Sequence, residues 1–274
     1  MLSTEQDSRY AHLEQMSTLA LLKGINNEDR VLTRAVHDAI PSIEKLVDAI
    51  VERMQRGGRV FYTGAGTSGR LGVVDASEIP PTYGVRDKFI GLIAGGDGAI
   101  RTAVEGAEDD SEQGWRDILA FNPTPDDTVI GIAASGTTPY VLGALKAARS
   151  EGLLTGCITC NEGTPVTLAA EYPVVAVVGP EFVTGSTRMK AGTATKLILN
   201  MISTATMIRL GHVHGSKMVD MQPTNAKLVD RGTRMVMEAT GIDDYSHARD
   251  LLLGHGSVRK AVEAYNKEAS EETA

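Results

Sequence analysis

Five short apolar runs, spaced along the middle of the chain and separated by helix-like segments, constrain the fold more than any other feature. Each run has the length of a buried strand, and the runs occupy residues 59–63, 89–95, 128–134, 155–159 and 174–178. Strands that alternate with helices predict a parallel sheet with helices on both faces. We therefore expect an α/β fold, a three-layer sandwich around a five-stranded parallel sheet, flanked by N- and C-terminal helices.

The segments on either side of these runs are helical in pattern. We expect an N-terminal helical segment at 1–49, a central domain at 50–213 and C-terminal helices at 214–274. Within the first segment, Asn27 is typical of a helix start, and Pro41 predicts the start of a second helix.

Composition excludes several classes of function. The chain has 274 residues, of which 42% are hydrophobic and 23% charged, and this is ordinary for a globular protein. Its net charge of −8 argues against a nucleic-acid-binding surface. No stretch approaches the roughly 20 apolar residues that span a bilayer, and the polar, acidic start does not resemble a signal peptide. Cys157 and Cys160 overlap the end of a predicted strand, which disfavours a redox or zinc site. We expect a cytoplasmic protein without nucleic-acid or membrane partners.

Three loops that follow predicted strands are rich in glycine and hydroxyl side chains. The first loop (64–69) reads GAGTSG, the second (134–139) ASGTTP, and the third (185–190) GSTRMK, with two cations. Glycines let backbone N–H groups approach an anion, and a helix N-terminus adds a partial positive charge. Each loop alone also fits a plain turn or a capped helix start, but three of them together predict a small phosphorylated ligand. The candidate binding residues are Gly66, Thr67, Ser68, Ser135, Gly136, Thr137, Thr138, Ser186, Arg188 and Lys190.

Longer stretches around these loops, above all DASEIPPTYG, VEGAEDD and TGSTRMKAGTA, carry a resemblance that covers most of residues 17–231. In these stretches the chain resembles the N-acetylmuramic acid 6-phosphate etherase family, which is built on the sugar isomerase (SIS) domain. The resemblance implies a cytoplasmic homodimer that cleaves the lactyl ether of a phosphosugar released in cell-wall recycling. The implied products are N-acetylglucosamine 6-phosphate and D-lactate, and the reaction needs no metal or cofactor.

The chemistry of this reaction explains why carboxyl groups follow a phosphate-binding loop. In the open-chain sugar, carbon 1 is an aldehyde, so a base can remove the proton on carbon 2 while an acid protonates the departing lactate. Each of these two groups contributes about 10²–10⁴-fold to the rate. By the resemblance, Glu78 is the proton donor and Glu108 the base. The residues alone favour a pair without assigning the roles, and without the resemblance both glutamates fit solvated side chains, with Asp75 and Glu105 as neighbouring alternatives.

Two features depart from the family pattern, and two other functions stay open. Thr137 stands where the family usually has arginine, which removes a cation from either a substrate contact or an interface contact. The C-terminal helical module is shorter after Asn266 than in longer relatives. His212 and His214 favour a loop after a long helix over a ligand pair. The alternatives are a sugar-phosphate-binding regulator without turnover, which the two glutamates disfavour, and an aldose–ketose isomerase, which needs no acid at the carbon-3 oxygen.

Overall fold

The computed structural model describes residues 2–272 and contains a five-stranded, all-parallel sheet in the order β2-β1-β3-β4-β5. The strands are β1 (Val60–Gly64), β2 (Phe89–Ile93), β3 (Thr128–Ile132), β4 (Leu154–Thr159) and β5 (Tyr172–Val175). Each overlaps one of the five apolar runs and differs from it by a few residues at the ends. The predicted α/β class and the parallel sheet are confirmed.

Ten α-helices are found among the described residues: α1 (Thr18–Gln55), α2 (Gly66–Tyr83), α3 (Gly98–Arg101), α4 (Gln113–Leu119), α5 (Pro139–Ser150), α6 (Pro165–Ala169), α7 (Lys190–Arg209), α8 (Ala226–Thr240), α9 (Tyr245–His255) and α10 (Val258–Glu272). Short 3-10 turns lie at Ser3–Glu5, Leu13–Gln15 and Ala107–Asp109. A two-stranded antiparallel hairpin joins β6 (Val213–His214) and β7 (Lys217–Met218).

Helices cover both faces of the sheet, because successive side chains of a strand point to opposite sides. On one face, Gly131 of β3 lets α5 approach, and a Cβ there would lie 2.6 Å from Cγ1 of Val141. On the other face, Tyr62 contacts α2 and Gly156 contacts Leu46 of α1. These contacts establish the predicted three layers.

One long helix replaces the two predicted at the N-terminus. Helix α1 begins after Ser17, whose side chain caps the first turn, and continues through Pro41. The predicted starts at Asn27 and Pro41 are therefore wrong. A proline removes one helical hydrogen bond, whereas Val36 and Ile43 on either side of it are buried and hold the helix together.

By their contacts, the described residues form two compact units. The first comprises residues 2–77 and 87–206 and contains the sheet together with α1. The second comprises 78–86 and 207–272, in which α8, α9 and α10 enclose a small apolar core that includes Met221, Val236 and Leu252. The predicted division at residues 49 and 213 stays a prediction. Within residues 2–272, no helix combines the length and the apolar character needed to cross a membrane.

Candidate active site

The first and second loops leave the sheet side by side at its carboxyl edge. Strands β1 and β3 are neighbours, with Gly64 paired to Ile132 at their ends. Helix α2, which follows β1, and helix α5, which follows β3, lie on opposite faces of the sheet. Ligands of open parallel sheets bind in the crevice at such a point, where the chain leaves neighbouring strands in opposite directions.

The first loop combines a tight backbone with available hydroxyl groups. Gly66 has a φ of +52°, and a Cβ on Gly69 would lie 2.6 Å from the carbonyl oxygen of Gly64, so side chains are disfavoured at both positions. The hydroxyls of Thr67 and Ser68 form no hydrogen bond with any residue that the structure describes. They are therefore free to donate to a ligand at the start of α2.

Two hydroxyl groups of the second loop are hydrogen-bonded to each other. The Ser135 hydroxyl accepts hydrogen bonds from the backbone N–H of Thr137 at 3.3 Å and from its hydroxyl at 3.1 Å. Thr138 occupies the N-cap position of α5, but its side chain makes no capping hydrogen bond. The Thr138 hydroxyl therefore stays available, which favours the ligand interpretation over the capping one.

Asn161 and Thr164, which carry no local sequence signal, hold the second loop in place. Asn161, only 2% exposed, donates from Nδ2 to the carbonyl oxygen of Ala134 at 2.9 Å and accepts from the backbone N–H of Ser3 at 2.6 Å. Gly136 has a φ of +78° and packs against Thr164, so that a Cβ would lie 2.3 Å from the threonine hydroxyl. The N-terminal segment therefore contacts the ligand end of the sheet, a long-range relationship with no local sequence signal.

A buried carboxylate caps the helix that follows the third loop. Glu181 accepts the backbone N–H groups of Lys190 and Ala191, both at 2.9 Å, and so caps the start of α7. Burial raises the pKa of Glu181 even though these amides stabilise its charge. The ammonium of Lys190 is 1% exposed and donates to Oε2 of Glu28 at 2.5 Å. The structure thus gives Lys190 a protein partner, where the sequence predicted a ligand contact.

The remaining polar groups of the third loop stay accessible. Arg188 is exposed and Ser186 half-buried. The start of α7 also lies beside the first loop, since a Cβ on Gly192 would be 3.4 Å from Cγ2 of Thr67. Arg188 is consequently the cation of this loop that a ligand can reach.

A cavity of about 180 Å³ joins the first loop to one of the two predicted catalytic glutamates. Its polar lining includes Gly66, Arg70, Glu105 and Glu108, and alanine side chains complete the wall. Glu108 lies in the 3-10 turn Ala107–Asp109 and is exposed. The fold therefore brings a predicted phosphate-binding residue and a predicted base around one space, although they are far apart in sequence.

The other predicted catalytic residue, Glu78, lies on α2 and is exposed. Pro80 and Pro81 follow Glu78, and prolines in a helical pattern usually predict a helix end. Instead, α2 continues through both prolines to Tyr83. Glu78 therefore lies within α2 and not at its C-terminal end.

Asp75, the neighbouring alternative to Glu78, is already engaged. It is 5% exposed and accepts hydrogen bonds from the hydroxyl of Tyr62 at 3.1 Å, Nδ2 of Asn200 at 2.7 Å and the hydroxyl of Ser203 at 3.1 Å. Burial raises the pKa of Asp75, against the stabilising effect of these donors. Its carboxylate links α2 to β1 and α7 and has a structural role.

The cysteines and histidines noted in the sequence have structural surroundings. Cys157 and Cys160 are buried free thiols, and burial raises the pKa of each to about 12, which does not suit a nucleophile. His212 follows α7 and places Nδ1 at 2.9 Å from Oδ2 of Asp220, while His214 lies in β6. The predicted loop after the long helix is in fact the start of a hairpin.

A family model and two curated relatives match this chain. The model of the glucokinase regulatory protein N-terminal SIS domain matches residues 42–149. The N-acetylmuramic acid 6-phosphate etherase of Christiangramia forsetii is 59% identical over 266 residues, 97% of each chain. That of Bacteroides thetaiotaomicron is 58% identical over 268 residues, 97% of this chain and 96% of the relative.

Solved structures agree on the fold. A phosphoheptose isomerase from Francisella tularensis has a TM-score of 0.52 at 18% identity, covering 69% of this chain and 100% of its own. A phosphosugar isomerase from Bacteroides fragilis, described as involved in capsule formation, has a TM-score of 0.52 at 21% identity, covering 71% of this chain and 98% of its own. Likeness at such low identity concerns the fold alone.

The parallel sheet and its three hydroxyl-bearing loops define a protein of the sugar isomerase (SIS) class. Within that class, the chain belongs to the N-acetylmuramic acid 6-phosphate etherase family, since relatives at close to 60% identity match nearly its whole length. The resemblance found in the sequence is confirmed, and the protein is an enzyme.

Proposed function

We propose that this enzyme cleaves the D-lactyl ether of N-acetylmuramic acid 6-phosphate and releases N-acetylglucosamine 6-phosphate and D-lactate in the recycling of cell-wall sugars. The relatives that carry this name match almost the entire chain. The observation that carries the proposal is the cavity in which Gly66 of the first loop and Glu108 face the same space. A phosphosugar held by its phosphate at the loops would extend toward that carboxylate.

The reaction is an elimination followed by an addition. Glu108 takes the proton from carbon 2 of the open-chain aldehyde, and the electron pair of that C–H bond forms a double bond between carbons 2 and 3. The bond from carbon 3 to the ether oxygen breaks, and Glu78 gives its proton to the departing lactate oxygen. Water then adds to carbon 3 of the unsaturated aldehyde, and carbon 2 regains a proton. General acid and base groups in such steps contribute about 10²–10⁴-fold each.

The phosphate is held by hydroxyl and backbone N–H groups of the first two loops. Thr67 and Ser68 have hydroxyls without a hydrogen-bond partner among the described residues, and the Ser135–Thr137 pair presents two more at the neighbouring strand end. These N–H groups lie at helix starts, where the helix dipole favours an anion. Arg188, with Ser186 beside it, supplies the accessible positive charge. Thr137 leaves the second loop without a cation of its own.

Release of D-lactate from purified protein and N-acetylmuramic acid 6-phosphate tests the proposal directly. Lactate is measured enzymatically, and the sugar product by mass spectrometry. An etherase yields the two products in equal amounts. Tight binding of the substrate without lactate would instead indicate a sugar-phosphate-binding regulator, and formation of a ketose an aldose–ketose isomerase.

We also propose that the protein is a cytoplasmic homodimer with its active site near the interface. Its expected substrate carries a charged phosphate, which does not cross a bilayer unaided. Helix α1 exposes four large apolar side chains along its surface, Leu19, Leu22, Val31 and Ile40. An unusual amount of exposed apolar surface is typical of a protein–protein contact.

Sedimentation equilibrium at micromolar concentration tests the dimer. We expect a dimer for the unmodified protein and a monomer for Leu19→Glu/Leu22→Glu. Leu168→Glu, which changes an exposed leucine on α6, is the matched control and should stay dimeric. A fully active monomer would contradict the proposal.

A further inference from the structure

Arg70, which the sequence analysis did not consider, connects the first loop to the segment that carries Glu108. It lies in the second turn of α2 and lines the same cavity as Glu108. Its guanidinium donates from Nε to the carbonyl oxygen of Ile100 at 2.9 Å and from Nη2 to that of Ala99 at 2.8 Å. Both acceptors belong to α3.

These two hydrogen bonds hold the C-terminal end of α3 in place against α2. The last carbonyls of a helix have no partner within the helix, and a cation near them is favourable. The planar guanidinium fork meets two adjacent carbonyls at once, which a lysine ammonium does not reproduce. Arg70 thus fixes the end of α3 against the start of α2.

The segment between α3 and the 3-10 turn at Ala107–Asp109 is exposed along most of its length. Residues 101–106 are exposed, whereas Ala99, two residues before them, is buried. Neither Glu105 nor Glu108 forms a side-chain hydrogen bond with any described residue. The segment that carries Glu108 is therefore held at one end by Ala107, which packs against the apolar core beside α5, and at the other end by Arg70, which anchors α3 to α2.

We propose that Arg70 is a positioning residue that sets the distance between the phosphate-binding loop and the carboxylate of Glu108. This rests on the proposed function, in which Glu108 removes the proton on carbon 2. A base must come within hydrogen-bond reach of its proton, and a misplacement of about 1 Å costs on the order of 100-fold in rate. Arg70 acts through α3 and takes no proton itself.

The kinetic test compares Arg70→Met and Arg70→Lys with the unmodified enzyme. We expect Arg70→Met to lower kcat for lactate release, and the exchange of the carbon-2 proton in deuterated water, about 100-fold. The Kd for N-acetylglucosamine 6-phosphate should change less than about threefold, since the loops that bind phosphate are untouched. Arg70→Lys should recover only part of the rate. Full activity of Arg70→Lys, together with a raised KM in Arg70→Met, would overturn the proposal. Arg70 would then contribute its positive charge to substrate binding and would not position Glu108.

Arg149→Met is the matched control. Arg149 also donates from its guanidinium to a carbonyl at a helix C-terminus, that of Ala169 in α6, at 3.3 Å, but it does not line the cavity. Its kcat and carbon-2 exchange should stay within about twofold of the unmodified enzyme. An equal loss of rate in this variant would show that any lost arginine–carbonyl contact has the same effect.

A second measurement does not depend on the reaction. The backbone N–H groups of Thr102 and Asp109 donate hydrogen bonds to the carbonyl oxygens of Gly98 and Gly106, respectively, each at 3.1 Å. In Arg70→Met, amide hydrogen exchange of peptides covering 98–109 should be about tenfold faster, with the sheet unchanged. Unchanged exchange in this segment would overturn the positioning role whatever the activity. Failure of the etherase assay in the unmodified protein would count against the proposed function alone.

Discussion

The ammonium of Lys190 lies 2.5 Å from Oε2 of Glu28, and both side chains are buried. The two residues are 162 positions apart in the chain and join the N-terminal third of α1 to the first residue of α7. Together with the Glu181 cap, this ion pair fixes the end of the third loop. Glu28 and Glu181, which have no local signal in the sequence, therefore help to determine the positions of Ser186 and Arg188.

Removal of one member of this pair should be costly. Lys190→Met leaves the Glu28 carboxylate buried. Among the described residues, the one remaining cation beside it is Arg9, which is 4.0 Å away and mostly exposed. We expect a loss of about 3–5 kcal/mol in the free energy of unfolding, measured by urea denaturation. The double variant Glu28→Leu/Lys190→Met should recover most of that loss. Equal stability of the single and double variants would argue against a coupled buried pair.

Ser68→Ala should weaken binding of N-acetylglucosamine 6-phosphate about tenfold, because a hydrogen bond to a charged group contributes about 1.5–3 kcal/mol. Isothermal titration calorimetry measures the change. Ser150→Ala is the matched control, since the Ser150 hydroxyl donates to the carbonyl of Ala147 at the far end of α5. An unchanged Kd in Ser68→Ala would remove this hydroxyl from the phosphate site.

The two catalytic glutamates are separable by isotope exchange. Glu108→Gln should lose both lactate release and exchange of the carbon-2 proton, since both need the base. Glu78→Gln should lose lactate release and retain exchange, because removal of the carbon-2 proton precedes protonation of lactate. Glutamine keeps the shape of each exposed side chain, so circular dichroism should be unchanged.

Glu105→Gln is the control for that experiment, as Glu105 lines the same cavity as Glu108. It should retain both activities. Loss of exchange only in Glu78→Gln would show that the acid and base roles are the reverse of those proposed. Full activity of Glu108→Gln would show that a neighbouring carboxylate is the base.

Asp127 should make stability depend on pH in the acid range. Burial alone would raise the pKa of this carboxyl, but hydrogen bonds from the Arg59 guanidinium and from backbone N–H groups outweigh it and hold the pKa below its ordinary value. A lowered pKa in the folded state means that the stabilisation is fully present above the unfolded value, about 3.9, and is lost as pH falls through the folded one.

Urea denaturation of Asp127→Asn at several pH values measures this contribution. We expect the variant to be about 1–3 kcal/mol less stable than the unmodified protein at pH 7. The difference should begin to shrink below about pH 4, where the carboxyl of the unfolded chain takes up its proton, and should be lost at the lower pH at which the native carboxylate is protonated. A difference that is constant from pH 7 to pH 3 would exclude the carboxylate charge as its source.

The sequence by itself determined the sheet, the three loops and the family. Apolar runs of strand length alternate with helices, and glycine and hydroxyl residues stand at each turn, so all of this information is local. Local signals were also misleading. Pro41 predicts the start of a new helix and the Pro80–Pro81 pair a helix end, yet α1 and α2 continue through them. Buried side chains on both sides of Pro41 outweigh one lost hydrogen bond.

Only the tertiary structure decided which polar groups remain for a ligand. Lys190 and Arg188 look alike in the sequence, but the fold buries the first against Glu28 and leaves the second exposed. Asp75 and Glu78 are likewise both carboxylates on α2, and three donors from distant elements engage Asp75 alone. Such partners lie far away in the chain, because burial of a charge requires a compensating group in space and places no demand on where that group stands in the sequence.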